Sequence, residues 1–184
     1  PLQLVPRDRR LGVRERMRPD GRVEVPLDWE SLAAAIATLK SQRVEAVAIC
    51  YLHSWREGAH ERATAEAVRA AMPDVYVALS SAVLPQIKEY DRFCTTVINA
   101  YVGPGLERYL TRLEERLREA GLASPVLIIQ SHGGVATIAE AVRLAAGGVL
   151  SGPAGGVAGS QYAARLLGHS DLIPFDMGGT STDI

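Results

Sequence analysis

The spacing of hydrophobic positions changes several times along the first eighty residues. Leu11 and Val13 alternate with polar neighbours over 11–17, a strand pattern. Pro19-Asp20-Gly21 is a turn signal, and 22–25 reads as the returning strand of a hairpin. Residues 1–10, polar and basic with Pro6, form an irregular lead. Asp28 is a good N-cap, and Leu32, Ile36 and Leu39 behind it predict a helix ending near Gln42. Residues 44–51 are almost uninterruptedly apolar, as expected of a parallel strand covered on both faces. An Ala-rich helix over 58–72 and a short strand over 75–79 complete a helix–strand–helix–strand order, an α/β layout.

The second half is richer in helix and in glycine. Residues 80–85 form a loop or short turn. Tyr90, Cys94, Val97 and Tyr101 then give helical spacing over 89–101, and Gly103-Pro104-Gly105 is expected to break or kink that helix. Leu106, Leu110, Leu113 and Leu117 form a 4-3-4 stripe. At barely two heptads it reads as the core face of one amphipathic helix rather than a coiled-coil seam. Glu114 and Arg118 are an i,i+4 pair, and Gly121 is the expected C-cap. Residues 126–130 read as a buried strand and 137–146 as a helix. Ser151 opens a small-residue helix running to about Leu167, and Leu172, Ile173 and Phe175 predict a closing buried strand. The sharpest internal boundary is the break at 103–105.

Composition narrows the picture. A hydrophobic content of 47% is ample for a core, and a net charge of −1 argues against a general nucleic-acid or membrane-surface binder. No apolar run approaches the ~20 residues of a membrane span. Cys50 and Cys94 are far apart, so a disulfide scaffold is not expected and a reducing cytoplasm fits best. A chain that starts at Pro1 without Met and stops where a strand is starting reads as a piece of a longer protein.

The candidate chemistry lies in three Gly-rich segments: QSHGG (130–134), SGPAGG (151–156) and DMGGTSTD (176–183). Glycines at a strand end let backbone N–H groups point outward as a nest for phosphate oxygens. In DMGGTSTD, Gly178 and Gly179 supply such a turn and Thr180, Ser181 and Thr182 add hydroxyls. Asp176 and Asp183 are the catalytic candidates, since two carboxylates can hold a hydrated Mg²⁺, with Asp176 its expected ligand, or orient a nucleophile. No Lys follows the glycines, so this is not the GxxxxGK[ST] loop. Taken alone, the segment reads equally as a Gly-rich hairpin closed by an Asp. Three such segments together favour a shared phosphate site that includes Gly152, Gly155 and Gly156. Ser131, His132, Gly133 and Gly134 are weaker candidates for substrate contact, and His132 reads equally as a solvent-facing loop residue.

Four stretches carry a resemblance: VLPQIKEYDRFCTTVINAYVGP (83–104), LIIQSHGGV (127–135), VLSGPAGGV (149–157) and FDMGGTSTDI (175–184). Through them the chain resembles the hydantoinase A/5-oxoprolinase family, which includes N-methylhydantoinases and acetone-carboxylase-type subunits. It departs from the family pattern at His132, where Asn is usual, and at Phe93-Cys94, where small hydroxyl residues are usual. The resemblance implies part of an actin/Hsp70/sugar-kinase-like nucleotide fold with RNase-H-like halves, three-layered with mostly parallel strands. It implies that 1–102 are the end of the family's N-terminal region and 103–184 the start of its catalytic domain. DMGGTSTD would be the second phosphate loop and the SGPAGG helix the connecting helix. The first phosphate loop is expected before Pro1 and the adenosine segment beyond Ile184. The implied activity is ATP- and Mg²⁺-dependent hydrolysis of a small cyclic amide, with a hydantoinase B-type subunit or domain as partner. The fragment alone is expected to be inactive. The competing functions are a subunit of an ATP-dependent ketone carboxylase and a non-catalytic partner-binding module.

The remaining polar residues read more plainly. His53 and His60 lack a third ligand for a metal. His60-Glu61 starts a helix, where Glu favours the dipole. Trp29 and Trp55 are expected packing anchors, and His169 a surface turn residue. Lys88, Glu89, Asp91 and Arg92 read as a solvated face or, alternatively, a cleft lining. Cys50 is expected to be an inert core thiol.

Overall fold

The computed structural model describes residues 3–179, 182 and 183. The chain divides into two compact units, Pro1–Leu106 and Glu107–Ile184. In the first, β1 (Arg16–Met17) and β2 (Val23–Val25) pair as an antiparallel hairpin with an irregular register between Arg16 and Met17. Gly21 closes the turn at φ 86°, a conformation that costs glycine nothing. Helix α1 (Trp29–Ser41) begins at the Asp28 cap, whose carboxylate accepts from the Ser31 N–H at 3.2 Å. It buries Leu32. Trp29 is 61% exposed and so is not the packing anchor expected of it.

The centre of this unit is a β–α–β crossover. Strands β3 (Ala46–Ile49) and β4 (Tyr76–Leu79) run parallel with Ala46 opposite Tyr76 and Ile49 opposite Leu79. Helix α2 (Ala59–Ala71) connects them. Val47 and Ile49 from β3 meet Ala65, Val68 and Met72 from α2 and its end in the buried core. Each fully buried aliphatic side chain of this kind contributes about 1.5–3 kcal/mol. A short turn, α3 (Ser80–Val83), follows β4 directly.

Helix α4 (Glu89–Glu119) spans the segment expected to break or kink it, and buries another face than expected. It runs through Gly103-Pro104-Gly105 without ending. An interior proline removes one helical hydrogen bond at a cost of about 3 kcal/mol, and contacts with β4 hold the segment in place. A Cβ at Gly103 would run into the Tyr76 ring, and Asn99 Nδ2 donates to the Tyr76 hydroxyl at 3.0 Å. The buried face is also not the aromatic one. Arg92, Thr96 and Asn99 are fully buried, while Tyr90 and Tyr101 are 80% and 66% exposed. The Leu stripe behaves as read: Leu110 is buried and Leu106, Leu113 and Leu117 are half-buried.

The second unit is smaller in its elements. Strands β5 (Leu127–Ile129) and β6 (Val135–Thr137) form an antiparallel hairpin. Leu127 and Ile129 are exposed rather than buried as expected, because the two-stranded hairpin leaves its flank open. Thr137 caps α5 (Ile138–Arg143), accepting from the Glu140 N–H at 3.3 Å. A 3₁₀ turn (Ala145–Gly148) leads to α6 (Ser151–Leu167), which stops at Gly168 with φ 73°. Residues 171–175 belong to no strand or helix, and Ile173 and Phe175 are exposed; the predicted buried strand there is not formed among the described residues. Strands β7 (Asp176–Met177) and β8 (Thr182–Asp183) close the chain as an antiparallel hairpin. Of the four ladders among the described residues, only β3–β4 is parallel, so the expectation of mostly parallel strands does not hold here. The α/β character rests on that one crossover.

Candidate functional site

SGPAGG meets the start of DMGGTSTD and the strand that precedes QSHGG. Asp176 and Asp183 face each other directly across β7–β8. Cross-strand neighbours have Cβ atoms roughly 5 Å apart, and like charges so placed repel. A cleft of about 90 Å³ beside them is lined by both carboxylates together with Pro153, Gly156, Ser160 and Phe175. Gly156 faces the hairpin, and a Cβ there would stand at an ordinary contact distance, 3.6 Å, from Asp176 Oδ2. Gly155, one residue earlier, faces β5, and its Cβ would stand 3.1 Å from Ile129 Cδ1. Helix α6 therefore brings the start of DMGGTSTD and the strand that feeds QSHGG onto adjacent positions.

SGPAGG is itself the first turns of α6 rather than an open loop. Gly152 sits in the first turn, where backbone N–H groups have no helical acceptor. Gly155 and Gly156 lie deeper, where N–H groups bond within the helix, and at Gly155 the missing side chain permits a close approach to β5. The helix N-cap is Leu150, held at φ 60° without a side-chain cap. In the hairpin, Gly178 and Gly179 form the exposed turn and Thr182 lies opposite Met177. Thr180 and Ser181 lie outside the described residues.

The QSHGG turn is tied down from two sides. Gly133 takes φ 82°, and the His132 Nδ1 accepts from the Gly134 N–H at 3.2 Å. The Ser131 N–H donates to the Gly147 carbonyl at 2.6 Å. Gln130 is 5% exposed and its side-chain oxygen packs where a Cβ at Gly147 would stand. Ser131 and His132 are exposed at the tip.

The first unit holds a buried polar network that the sequence reading missed. Glu61 and Arg92 are both fully buried. Glu61 Oε1 accepts from the Tyr51 N–H at 2.9 Å and from the Ser80 hydroxyl at 2.6 Å, and Oε2 from the Ser81 N–H at 2.8 Å. Arg92 donates from Nε to Ser80 Oγ at 3.2 Å, from Nη1 to the Gln86 carbonyl at 2.9 Å and from Nη2 to the Tyr51 carbonyl at 3.0 Å. The Ser54 and Ser80 hydroxyls are 2.9 Å apart. Arg92 is thus neither on a solvated face nor in a cleft, and Glu61 does more than favour a helix dipole. The signal was present in the spacing: Arg92, Thr96, Asn99 and Gly103 repeat at 4-3-4 and mark the inner face of α4. His60 Nδ1 lies 2.8 Å from Glu15 Oε2, tying the first hairpin to α2.

Burial lifts the Cys50 thiol up to about 12, with the Glu61 carboxylate adding to the effect. The same burial lifts the Tyr51 hydroxyl to about 12. Cys50 and Cys94 are both free, Cys50 half-buried and Cys94 exposed. Among the described residues no cluster of three or more His, Cys, Asp or Glu side chains could hold a metal. A Mg²⁺ ion that takes most of its shell from water and phosphate needs only one or two carboxylates, a number that the opposed Asp176 and Asp183 could supply. No helix among the described residues is long and apolar enough to cross a membrane.

A family model described as Hydantoinase/oxoprolinase matches residues 92–184, and one described as Hydantoinase/oxoprolinase N-terminal region matches residues 2–72. The caprolactamase subunit alpha of Pseudomonas jessenii is 40% identical over 181 residues, which are 98% of this chain and 26% of that protein. The crystal structure of ATP-dependent caprolactamase from the same organism superposes with a TM-score of 0.82 at 37% identity, covering 98% of this chain and 26% of that one. A nucleotide-free structure of acetone carboxylase gives a TM-score of 0.80 at 29% identity, covering 93% of this chain and 24% of that one. The chain spans about a quarter of the length of the caprolactamase subunit and of the acetophenone carboxylase gamma subunit, and about an eighth of that of the 5-oxoprolinases it matches.

Proposed function

Because the chain belongs to the hydantoinase/oxoprolinase family, we propose that the whole protein opens a small cyclic amide in an ATP-dependent reaction. In the expected chemistry the amide carbonyl oxygen attacks the terminal phosphoryl group and ADP departs. Water then adds to the activated carbon, the ring C–N bond breaks with a proton delivered to nitrogen to leave an acyl phosphate, and a second water releases the carboxylate and phosphate. Such transfer depends on positioning and on stabilising charge more than on a covalent nucleophile.

In this reading DMGGTSTD is a phosphate loop of an actin-like nucleotide fold. The N–H groups of Gly178 and Gly179 and the hydroxyls of Thr180, Ser181 and Thr182 hold terminal phosphate oxygens. Gly152 offers an N–H at the first turn of α6, with Gly155 and Gly156 further along the same helix. Asp176 holds Mg²⁺, directly or through water, and Asp183 orients water. Bound Mg²⁺ would neutralise charge on the phosphates. Ser131, His132, Gly133 and Gly134 form a substrate-facing turn. Residues 1–102 serve as the end of the N-terminal region and 103–184 as the start of the catalytic domain. A hydantoinase B-type subunit is the partner and the cytoplasm the location; the subunit names of the relatives and the two free cysteines support these.

One observation carries the reading: two opposed carboxylates share a cleft with a glycine-bearing helix face in a chain whose family name is that of ring-amide hydrolases. The test is ATP turnover by the full-length protein with hydantoin, 5-oxoproline and caprolactam, and with Asp176→Ala as control. Stimulation by a ring amide, abolished in the variant, is expected. Turnover indifferent to every ring compound would sink the substrate assignment. The likeness to acetone carboxylase favours a second reading, an ATP-dependent ketone carboxylase subunit. Consumption of ATP that requires both bicarbonate and a ketone would select it. Absence of Mg·ATP binding by the full-length protein would select a non-catalytic partner-binding module.

A further inference from the structure

A groove of about 680 Å³ runs beside α6 in the second unit and is not used by the proposed phosphate site. Val157 and Gln161 on the helix line it from one side, and Ser170, Leu172, Ile173 and Pro174 from the other. Its only charged lining group is Asp171, whose Oδ2 accepts from the Ser170 hydroxyl at 2.7 Å. The rest of the wall is mainly apolar, and Ile173 stands 82% exposed within it. Val157 and Pro174 also line the smaller cleft of Asp176 and Asp183, so groove and cleft are neighbours.

Helix α6 has little of its own to hold it. Gly155, Gly156 and Gly159 lie in its interior, where each costs about 1 kcal/mol relative to alanine. Its one buried residue is Ala164. Tyr162, Leu166 and Leu167 are each at least 66% exposed. Helices in proteins draw most of their stability from a packed apolar face, and α6 carries the apolar residues without the packing. A surface that an element needs in order to form is covered permanently, as in obligate interfaces, not by a transient visitor. The caprolactamase subunit carries the matching region inside a polypeptide of which it is 26%, with the architecture kept at a TM-score of 0.82 in the caprolactamase structure. A cover on the same polypeptide is present at high effective concentration from the moment of folding, whereas a separate subunit would leave α6 bare until assembly.

We propose that this groove seats an apolar segment of the same full-length polypeptide, one lying outside residues 1–184, whose side chains pack on Val157, Leu172 and Ile173. The seated segment then also borders the carboxylate cleft through Val157 and Pro174. None of this depends on the ring-amide reading. In the test, full-length Ile173→Cys, dilute and without any partner subunit, is treated with iodoacetamide, and the peptide carrying residue 173 is followed by mass spectrometry. Labelling at least tenfold slower than in denaturant is expected. A smaller slowing would overturn the proposal. So would protection that appears only as the protein is concentrated, which makes a second copy the occupant, or only when a partner subunit is added. Full-length Ile173→Asp checks the point without a thiol. A carboxylate under the segment should lower the thermal midpoint or prevent folding, because a buried charge without a partner is costly, whereas an open groove tolerates it. An unchanged midpoint would likewise overturn the proposal.

Discussion

Glu61 and Arg92 are fully buried opposite charges joined through one hydroxyl, that of Ser80, 2.6 Å from Glu61 Oε1 and 3.2 Å from Arg92 Nε. Their other side-chain hydrogen bonds go to backbone at the carboxyl edge of β3–β4 or in the segment before α4, and Arg92 Nη2 also lies 3.6 Å from Glu89 Oε1. Removing one member strands the other in a low-dielectric interior. Arg92→Ala or Glu61→Ala is therefore expected to cost about 3–5 kcal/mol. Ser80→Ala should cost about 1–3 kcal/mol, because it leaves buried donors and acceptors unpaired. Denaturant titration of the full-length protein measures both. A change below 1 kcal/mol for Arg92→Ala would contradict this account of the network.

Gly147 and Gln130 are a second coupled pair. The buried Gln130 amide oxygen occupies the place a side chain at Gly147 would need. Gly147→Ala should destabilise by about 1–3 kcal/mol through overpacking. Gln130→Ala should empty that space, so in the double variant the alanine at 147 should cost far less. The coupling in a double-mutant cycle reads this out. Additive effects would show that the two residues do not compete for the space.

How much was legible follows from what each residue had to touch. The Asp28 cap, the start of α6 at Ser151 and the β3–α2–β4 order could be read directly, because caps, glycines and apolar runs act over a few residues. The face of α4 could not be read from hydrophobicity. Tyr90 and Tyr101 looked like core, yet Arg92, Thr96 and Asn99 are inside, since β4 and its following turn offer polar partners there. Ile173 and Phe175 looked like a strand, but a strand needs a ladder partner, and none pairs with them among the described residues. Of the candidate site, the segments were found by composition. Only coordinates reveal that Gly155 and Gly156 on α6 meet β5 and β7 separately.

Asp176 and Asp183 oppose each other across β7–β8 at a cost in repulsion. Neutralising one should leave the fold as stable or slightly more so, by about 0.2–1 kcal/mol. The same change should remove ATP turnover if the pair serves Mg²⁺ and phosphate. Thermal midpoint and ATPase rate of full-length Asp176→Asn and Asp183→Asn separate the two effects. A large loss of stability in either variant would mean that the carboxylates are structural rather than functional.

The Cys50 thiol gives the clearest dependence on pH. Burial lifts it from 9.0 to about 12, and the nearby Glu61 carboxylate opposes a second negative charge. The folded state therefore keeps the thiol proton longer than the unfolded state does. A raised folded pKa gives a contribution that is fully present below about 9 and is lost as pH rises toward about 12. Tyr51, also lifted to about 12 but from 10.0, adds its own loss only in the upper part of that window. Cys50→Ala should thus flatten the fall in stability that begins between 9 and 10, where Tyr51 has not yet entered. Alkylation tests the same point independently. At pH 8.5, iodoacetamide should modify the exposed Cys94 while Cys50 reacts only after denaturant is added. Equal labelling of both thiols in the native protein, followed by mass spectrometry of the peptides, would show that Cys50 is neither buried nor held protonated.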